Sequence, residues 1–281
     1  MYKLIFIDLD GTLLNDKKEI STENVKWLNK AFEEKGIISI ITTGRQLGFV
    51  QNLYNKYQCS FGDCVIASNG ATIKDIKTNE YINKKTFSKE DITSLRKIYL
   101  KEDLDFFMIY TETESYMERK NKPSKSNLPD DNIFVDNIDI LINENHSLNV
   151  FVCIFGGEEK TLNEIIKKYP ELSNFENSPV CEYKHTKNNI TTIEKYFDVM
   201  KKDCNKKNAI KKVIEKFGVK YEEIIVIGDG GNDLPMFNKA GLKIAMGNAN
   251  SLLKQKADYI TCSNNEDGVA EAIKKFVFNL R

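Results

Sequence analysis

The sequence predicts an α/β fold in which a doubly wound parallel sheet is interrupted by a separate α+β domain. Short apolar runs that end in polar residues alternate with helix patterns over residues 1–83, and the same alternation returns over 200–281. Residues 84–199 also contain helix and strand patterns, but none of their strands is followed by an acidic motif of the kind found after strands in the two flanking segments. We therefore predict a core domain built from residues 1–83 and 200–281, with residues 84–199 inserted as a second domain.

The first part of the predicted core alternates strands with a helix. Its elements are a strand over 4–7, a helix over 22–35, and strands over 37–42 and 64–68. Ser21 is suited to be the N-cap of the helix, and Gly36 is suited to end it. Polar residues follow every strand, and in an open α/β sheet the ligand crevice lies outside the carboxyl ends of the strands. These polar residues are therefore expected to face one crevice.

The second part of the predicted core repeats this arrangement. Its elements are a helix over 206–217, strands over 224–228, 241–247 and 257–261, and a helix over about 267–278. The inserted domain has helices over about 88–101 and 161–168, and strands over 105–110, 147–155 and 190–199. Ser88 and Asp91 have the spacing of a capping box at the start of the first inserted helix.

The composition gives no sign of a nucleic-acid or membrane partner. Charged residues make up 29% of the 281 residues, and the formal net charge is +0, so no basic surface is expected. No stretch approaches the roughly 20 apolar residues of a membrane span, and the apolar run over 4–7 is too short for a signal peptide. The six cysteines are scattered and form no CxxC pair. We expect a cytoplasmic protein, either a monomer or a weak dimer.

Two pairs of carboxylates stand at the ends of predicted strands. Asp8 and Asp10 follow the first strand, and Asp229 and Asp233 follow the strand over 224–228. If both strands end at the same crevice, the two pairs converge. Clustered carboxylates repel one another unless a cation lies between them, and oxygen ligands favour Mg²⁺. The sequence therefore predicts a Mg²⁺ site that acts on a phosphate group.

The stretch Asp8-Leu9-Asp10-Gly11-Thr12 has the residues that phosphoryl transfer needs. A carboxylate at a strand end can attack phosphorus, and a second one two residues later can protonate the leaving oxygen and then deprotonate water. Gly11 permits a tight turn that lets backbone amides and Thr12 face the phosphoryl oxygens. The alternative interpretation is a strand followed by an ordinary Asp-Gly turn.

Several further motifs accompany this stretch, in an order that runs nearly from end to end of the chain. They are Thr43-Gly44-Arg45, Ser68-Asn69-Gly70-Ala71, Gly228-Asp229-Gly230-Gly231-Asn232-Asp233, Ala245-Met246-Gly247-Asn248-Ala249 and Glu266-Asp267-Gly268-Val269. Together with the Asp8 stretch they resemble the haloacid dehalogenase-like (HAD) hydrolases, and among them the Cof-type phosphatases. The resemblance implies a Rossmann-like HAD core and an enzyme that hydrolyses phosphate monoesters of small metabolites, with sugar phosphates as the favoured class.

The resemblance also implies roles for the two carboxylate pairs. Asp8 would be the nucleophile, and Asp10 would be the general acid and base. Asp229 would bind Mg²⁺ together with Asp8 and the backbone carbonyl of Asp10. Asp233 would support the water shell of the metal, and Asn232 would help to hold the phosphate.

Other residues are implied to complete the site. Thr43 would hydrogen-bond the transferred phosphoryl group, and Gly44 and Asn69 would line the place where the substrate binds. The family also has a lysine in this part of the chain, and Lys206 fits that position better than its neighbour Lys207, because the following apolar residues then have the expected spacing.

Arg45 is one of only four arginines in the chain and directly follows the Thr43-Gly44 pair. A planar guanidinium beside a phosphate crevice can bind a second anionic group or the inserted domain. The alternative interpretation is a surface ion pair.

The position of the insertion indicates the subtype. Only residues 11–42 separate Asp10 from Thr43, whereas residues 44–205 separate Thr43 from Lys206. The extra residues are therefore expected to form a lid after the third strand, which resembles the C2B type of cap in this superfamily and would close over the crevice. Two alternatives remain open at this point, a phosphomutase of the phosphomannomutase type and a non-catalytic protein that binds phosphosugars.

Overall fold

The structure, a computed structural model, describes residues 1–62, 64–120, 132–145, 147–187 and 190–280. Its strands are β1 (Leu4–Ile7), β2 (Ile38–Thr42), β3 (Cys64–Ala67), β4 (Thr72–Asp75), β5 (Tyr81–Lys84), β6 (Phe106–Tyr110), β7 (Ser115–Arg119), β8 (Asn132–Phe134), β9 (Val152–Gly156), β10 (Phe175–Asn177), β11 (Cys181–Lys187), β12 (Ile190–Lys201), β13 (Ile224–Gly228), β14 (Leu242–Ala245) and β15 (Tyr259–Ile260). Its α-helices are α1 (Thr22–Lys35), α2 (Leu47–Tyr57), α3 (Lys89–Lys101), α4 (Ile138–Glu144), α5 (Glu159–Lys168), α6 (Lys206–Phe217), α7 (Leu234–Phe237), α8 (Ser251–Lys256) and α9 (Gly268–Val277).

The described residues divide into two units. The core unit comprises Met1–Lys84 and Asn205–Arg281, and the inserted unit comprises Lys85–Cys204. The domain limits predicted from the sequence, after residues 83 and 199, precede these limits by one and five residues. Two of these five residues are explained by β12, which continues to Lys201, beyond the end of the predicted strand.

The sheet of the core unit has the strand order β15-β14-β13-β1-β2-β3-β4-β5. The six strands from β15 to β3 are parallel, and only β4 and β5 pair antiparallel. β1 lies between β13 and β2, with Leu4 in register with both Ile224 and Ile38. The next strand in sequence, β2, pairs with one edge of β1, whereas β13 pairs with the other edge. The strand order therefore reverses at β1, and such a switch point places a crevice beside the carboxyl end of the strand. The predicted α/β fold with a doubly wound parallel sheet is confirmed.

The first helix and the central strands of the core unit form where the sequence pattern predicts them, whereas β14 and β15 are shorter than predicted and α2, β4 and β5 were not located. α1 begins after Ser21, whose side chain accepts a hydrogen bond from the Asn24 amide, and it ends at Gly36 in the left-handed conformation. Every residue of β1 and β13 is buried, as expected for central parallel strands. Full burial of each such side chain contributes about 1.5–3 kcal/mol, so these strands provide a rigid base for the residues that follow them.

The inserted unit contains a second sheet of order β10-β12-β9-β6-β7-β8, with β11 paired to β12. All pairs are antiparallel except β7 with β8. Phe107, Phe155 and Phe197 are fully buried and contact one another in a row across this sheet. The strand predicted over 147–155 is wrong in its first five residues, because the Leu148 amide bonds to the Asn145 carbonyl in a turn and β9 starts only at Val152.

A charged cluster joins α3, β7 and α4 in the interior of the inserted unit. Both guanidinium edges of Arg96 are used, since Nε and Nη2 donate to the Glu118 carboxylate at 2.7 Å and Nη1 donates to Asp139 at 2.6 Å. The Ile138 amide donates to the same Glu118 carboxylate. Because each charge is paired, this cluster is a structural tie between three elements. Within the described ranges, no helix is long and apolar enough to cross a membrane.

Candidate active site

The candidate site lies at the carboxyl ends of three neighbouring strands of the core unit. Asp8 directly follows β1, Thr43 directly follows β2, and Asp229 directly follows β13. The backbone continues the strand pairing for one more residue, since the Asp8 amide donates to the Ile227 carbonyl and the Thr43 amide to the Ile66 carbonyl. The side chains that the sequence places after different strands therefore converge because the strands are neighbours.

A cluster of three carboxylates and one ammonium group occupies the centre of the site. One carboxylate oxygen from each of Asp8, Asp229 and Asp233 lies within 4.8 Å of the others. The Lys206 ammonium group donates to Asp8 Oδ1 at 2.5 Å and to Asp233 Oδ1 at 2.7 Å. Asp233 is held from its other oxygen by the amides of Asp229 and Gly230, at 3.1 and 3.0 Å. Lys206 thus links Asp8 to Asp233, two residues far apart in sequence, and Asp229 joins them through its backbone amide.

Lys206 reaches this network from the first turn of α6. Asn205 caps the helix by accepting a hydrogen bond from the Asn208 amide, which fixes the direction in which Lys206 leaves the helix. Lys206 is 3% exposed, whereas Lys207 is exposed to solvent. Of the two lysines that the sequence offered for this position, Lys206 is the one that contacts the carboxylates.

Burial and mutual repulsion raise the pKa values of two carboxylates of the cluster. Burial raises the pKa of Asp8 well above its usual range, and Asp233 and Asp229 raise it further, although Lys206 acts in the opposite direction. Burial and the charge of Asp233 likewise raise the pKa of Asp229 to about 6. For Lys206, burial lowers the pKa, but the charges of Asp233 and Asp8 outweigh that effect and raise it above its ordinary value. One ammonium group does not balance three carboxylates.

The donor set of this cluster fits a magnesium ion. Three hard oxygen ligands converge without any histidine or cysteine, which is the ligand chemistry that Mg²⁺ prefers. A divalent cation among them would also supply the charge that Lys206 alone does not supply. Among the described residues, the side chain of Asp10 is not part of this group. The predicted contact of Asp10 to the metal through its backbone carbonyl stays a prediction.

Asp10 is held by two cations instead. Arg45 donates to both carboxylate oxygens, from Nε to Oδ2 at 2.6 Å and from Nη2 to Oδ1 at 2.7 Å. Lys18 Nζ also donates to Oδ1, at 2.9 Å. Burial alone would raise the pKa of Asp10, but the hydrogen bonds and charge of Arg45, with those of Lys18, lower it to about 2. The Arg45 guanidinium also lies over the Phe49 ring, 4.1 Å from its centroid.

Arg45 therefore binds a protein carboxylate in this structure, and its predicted phosphate contact stays a prediction. Lys18 was not identified from the sequence at all. It is 49% exposed in a turn of positive φ, and nothing in the pattern around it distinguishes it from the many other lysines.

Gly11 and Thr12 fit tightly against Asp229. Gly11 has φ +79, and a Cβ atom there would lie 2.4 Å from Asp229 Oδ2, so only glycine fits without displacing that carboxylate. Thr12 is fully buried, and its hydroxyl donates to Asp229 Oδ1 at 3.1 Å. Asn248 donates to the Gly11 carbonyl at 2.7 Å. Asn248, which belongs to the motif Ala245-Met246-Gly247-Asn248-Ala249, therefore supports the Gly11 turn.

The loop after β3 has three consecutive residues with positive φ. Ser68 and Asn69 have φ values of 51 and 54, and Gly70 has a φ of 94. Such backbone costs about 1–3 kcal/mol for each non-glycine residue and is concentrated at functional sites. The Asn69 amide donates to the Thr43 carbonyl at 3.0 Å, and the Asn69 side chain packs against Gly44. The predicted residues Thr43, Gly44 and Asn69 therefore lie side by side.

Asn83 and Lys212 support this loop from outside the predicted set. Asn83 Nδ2 donates to the carbonyls of Gly70 and Ala71 at 3.0 and 3.3 Å, and its Oδ1 accepts from Lys212 at 2.6 Å.

Asn232 differs from the other predicted residues because it is exposed, in a short turn just before Asp233.

Comparison with known proteins agrees with this geometry. A sequence model of the haloacid dehalogenase-like hydrolases matches residues 5–273. The chain is 34% identical to the 5-amino-6-(5-phospho-D-ribitylamino)uracil phosphatase YcsE of Bacillus subtilis, over 98% of this chain and 96% of that protein. It is similar to a solved haloacid dehalogenase-like hydrolase from Bacteroides thetaiotaomicron, with 30% identity, coverage of 98% and 99%, and a TM-score of 0.78. A further solved structure, described as the HAD subclass IIB sugar phosphatase BT4131, is 26% identical over 98% and 99% of the two chains, with a TM-score of 0.76.

The matches cover nearly the whole length of this chain and of its relatives. The chain belongs to the haloacid dehalogenase-like hydrolases, and within that family it is a phosphatase.

Proposed function

We propose that the chain is a Mg²⁺-dependent phosphatase that hydrolyses small phosphate monoesters, with sugar or sugar-alcohol phosphates as the substrate class. The observation that supports this most is the network of Asp8, Lys206, Asp233 and Asp229, with a second carboxylate, Asp10, two residues after Asp8. It unites a nucleophile, a cation that orients it, and a place for a metal, which are the parts that phosphoryl transfer requires.

In the proposed first step, a carboxylate oxygen of Asp8 attacks phosphorus and the bond from phosphorus to the ester oxygen breaks. The Asp10 carboxyl group gives its proton to the leaving oxygen, so that the free alcohol and an aspartyl-phosphate result. In the second step the Asp10 carboxylate takes a proton from water, and the oxygen of that water attacks phosphorus. Inorganic phosphate leaves, and the Asp8 carboxylate is restored.

Each remaining residue serves this reaction by position or charge. Lys206 orients Asp8 through Oδ1 and offsets part of its charge. Thr43, which is buried beside Asn69 and Gly44, would hydrogen-bond the phosphoryl group, and Asn232 would contact the phosphate. When bound by Asp8 and Asp229 beside Asp233, Mg²⁺ would neutralise charge on the phosphoryl oxygens.

The ion pair with Arg45 bears on the role of Asp10. Arg45 and Lys18 favour the carboxylate form, which is the form that the second step needs. The first step needs a protonated Asp10, so we infer that Arg45 loosens its two hydrogen bonds when a substrate phosphate enters. Arg45 would then alternate between positioning Asp10 and contacting an anion, and the contact predicted from the sequence would belong to the substrate-bound state.

The variant Arg45→Gln tests this role of Arg45. We expect kcat to fall by about 10²-fold, because a misplaced catalytic group typically costs that much, with KM changed less. Lys18→Gln is the matched control, since Lys18 contacts the same carboxylate from a side chain that is 49% exposed, and it should leave kcat nearly unchanged. A raised KM with normal kcat in Arg45→Gln would instead assign Arg45 to substrate binding alone.

Removal of the metal should stop the reaction. Addition of EDTA is expected to abolish phosphate release, and Mg²⁺ should restore it. Because Mg²⁺ would relieve the repulsion among buried carboxylates, it should also stabilise the fold, by about 2.7 kcal/mol at a concentration of 100 times its Kd. Thermal unfolding with and without Mg²⁺ measures this effect independently of activity.

Two variants make the metal experiment specific. Asp229→Asn should remove the stabilisation by Mg²⁺, whereas Asp258→Asn, at an exposed acid that pairs with Lys243, should keep it. If EDTA leaves the activity intact, the assignment of Mg²⁺ is wrong.

The substrate class rests on two relatives of known description. YcsE is named for a ribitylamino phosphate and BT4131 for sugar phosphates, and both names describe phosphate esters of polyhydroxylated carbon chains. A screen of phosphate release should therefore favour hexose phosphates and 5-amino-6-(5-phosphoribitylamino)uracil over pyridoxal phosphate, whose phosphate is not carried on a polyhydroxylated chain. A preference for pyridoxal phosphate would contradict the proposed class.

The same screen separates the alternatives. A phosphomutase would interconvert hexose phosphate isomers, whereas the proposed enzyme releases phosphate steadily from them. A binding protein without catalysis would release no phosphate from any ester in the presence of Mg²⁺.

A further inference from the structure

A cavity of about 280 Å³ lies between α6 and α7 of the core unit, apart from the carboxylate cluster. None of its lining residues belongs to the predicted site. Ile210, Ile224, Val226 and Met236, all of which are at least 95% buried, line its base, whereas Tyr221, Pro235 and Ala240 line it from half-buried positions and offer accessible apolar surface. Such a mixture of an apolar interior and a few polar groups at the edge is typical of sites for small molecules.

The charged side chains at the edge of this cavity are all positive. Lys207, Lys211 and Lys239 line it and are exposed to solvent, and no acidic residue is among its lining residues. The ammonium group of Lys239 lies 5.5 Å from the centroid of the Tyr221 ring, which also lines the cavity. In the part of the chain that the structure describes, Lys211 pairs weakly with Glu215 at 3.8 Å, and that pair is largely solvent-exposed. The cavity therefore attracts an anion, and its ring and apolar atoms favour a ligand with an apolar or aromatic part.

We propose that this cavity binds a small organic anion with one phosphate or carboxylate group and a compact apolar or aromatic body. The anionic group would contact Lys211 and Lys239, and the body would lie against the half-buried side chains of Tyr221, Pro235 and Ala240. The volume is slightly below the roughly 300–1,000 Å³ of sites for drug-sized ligands, so a single ring fits and a dinucleotide does not.

The cavity is connected to the carboxylate cluster through the two helices that form it. α6 begins with Lys206, which contacts Asp8 and Asp233, and α7 begins directly after Asp233. A ligand that bridges Lys211 on α6 and Lys239 after α7 joins the elements that carry Lys206 and Asp233. Occupancy therefore changes kcat, because the distance between these two side chains sets the orientation of Asp8. The binding itself is independent of the proposed function, and only this effect on kcat depends on it.

Phenylphosphonate is a suitable probe, because it has an aromatic ring and a phosphonate group that a phosphatase cannot hydrolyse. Titration of the isotope-labelled protein with up to about 10 mM probe, followed by amide NMR, locates binding residue by residue. We expect saturating shifts at the amides of Asn208, Lys211, Asn238 and Lys239, in addition to any shifts from binding at Thr43 and Gly44.

The double variant Lys211→Gln/Lys239→Gln should weaken binding in the cavity by about tenfold or more and leave any shifts at Thr43 and Gly44 as they are. The matched control is Lys216→Gln/Lys220→Gln, which removes the same charge from α6 and the turn after it, at exposed residues that do not line the cavity. It should bind the probe as the unmodified protein does.

Two results would overturn the proposal. An absence of shifts at the cavity amides, or equal weakening in both double variants, would show that no site exists there. A kcat that stays constant while the cavity fills, measured at saturating substrate, would overturn the connection to the carboxylate cluster. Loss of all phosphatase activity in the unmodified protein would contradict the proposed function and would leave the binding result intact.

Discussion

Replacement of Asp8 by Asn is expected to lower kcat by at least about 10⁴-fold, on the order of what loss of a catalytic nucleophile costs other hydrolases. The amide has the same shape as the carboxylate but does not attack phosphorus. Phosphate release from a sugar phosphate at saturating Mg²⁺ measures the effect. The fold should remain intact, because Asn keeps an oxygen that accepts the hydrogen bond from Lys206.

The stability of this variant provides a second measurement. Burial and the neighbouring carboxylates disfavour the charge on Asp8, so its removal should leave the free energy of unfolding unchanged or raise it in the absence of Mg²⁺. Asp16→Asn is the matched control, since Asp16 is an exposed acid in the same loop whose partners are Asn264 and Asn265. Retention of turnover in Asp8→Asn would exclude Asp8 as the nucleophile.

Replacement of Lys206 by Met is expected to damage both stability and activity. Lys206 is the only cation in contact with the buried carboxylates of Asp8 and Asp233, among the contacts of the described residues. Loss of one partner of a buried ion pair typically costs about 3–5 kcal/mol, because the remaining charges are left uncompensated. Chemical denaturation in the absence of Mg²⁺ measures this loss.

Activity and a neighbouring variant complete this test. kcat should fall by about 10²-fold or more, since the orientation of Asp8 is no longer held. Lys207→Met changes the next residue in the same way but at an exposed position, and it should alter stability by less than about 0.5 kcal/mol. If Lys207→Met has the larger effect on kcat, the assignment of Lys206 is incorrect.

Most of the local structure of the core unit follows from short sequence patterns. α1 and α6 have the predicted residue ranges because a capping side chain precedes each and a glycine in the left-handed conformation ends each. α2 was not located from the sequence, because its N-cap residue Gln46 makes no side-chain capping bond and no acidic residue stands in its first turn. The inserted unit was less well predicted, because the short strands β7, β8 and β10 have no distinctive pattern and are set by their neighbours in the sheet.

In the candidate site, too, some contacts could be predicted from local sequence patterns and others could not. The convergence of Asp8, Asp229 and Asp233 follows from their positions after parallel strands, so a pattern of apolar runs and acids was enough to predict it. The pairing of Arg45 with Asp10 was not predictable, because it depends on the direction of one long side chain and on the distance between two loops.

The doubly wound core, the two carboxylate pairs at strand ends and the motifs of a phosphatase family could all be predicted from the sequence alone. These conclusions depend on local order along the chain, where strand, turn and helix signals are read within a few residues. The three-dimensional fold was needed to show that Lys206 rather than Lys207 contacts the carboxylates, that Lys18 and Arg45 bind Asp10, and that a lysine-lined cavity lies beside α6. Such contacts join residues far apart in sequence, and the order of strands in the sheet and the reach of each side chain decide them.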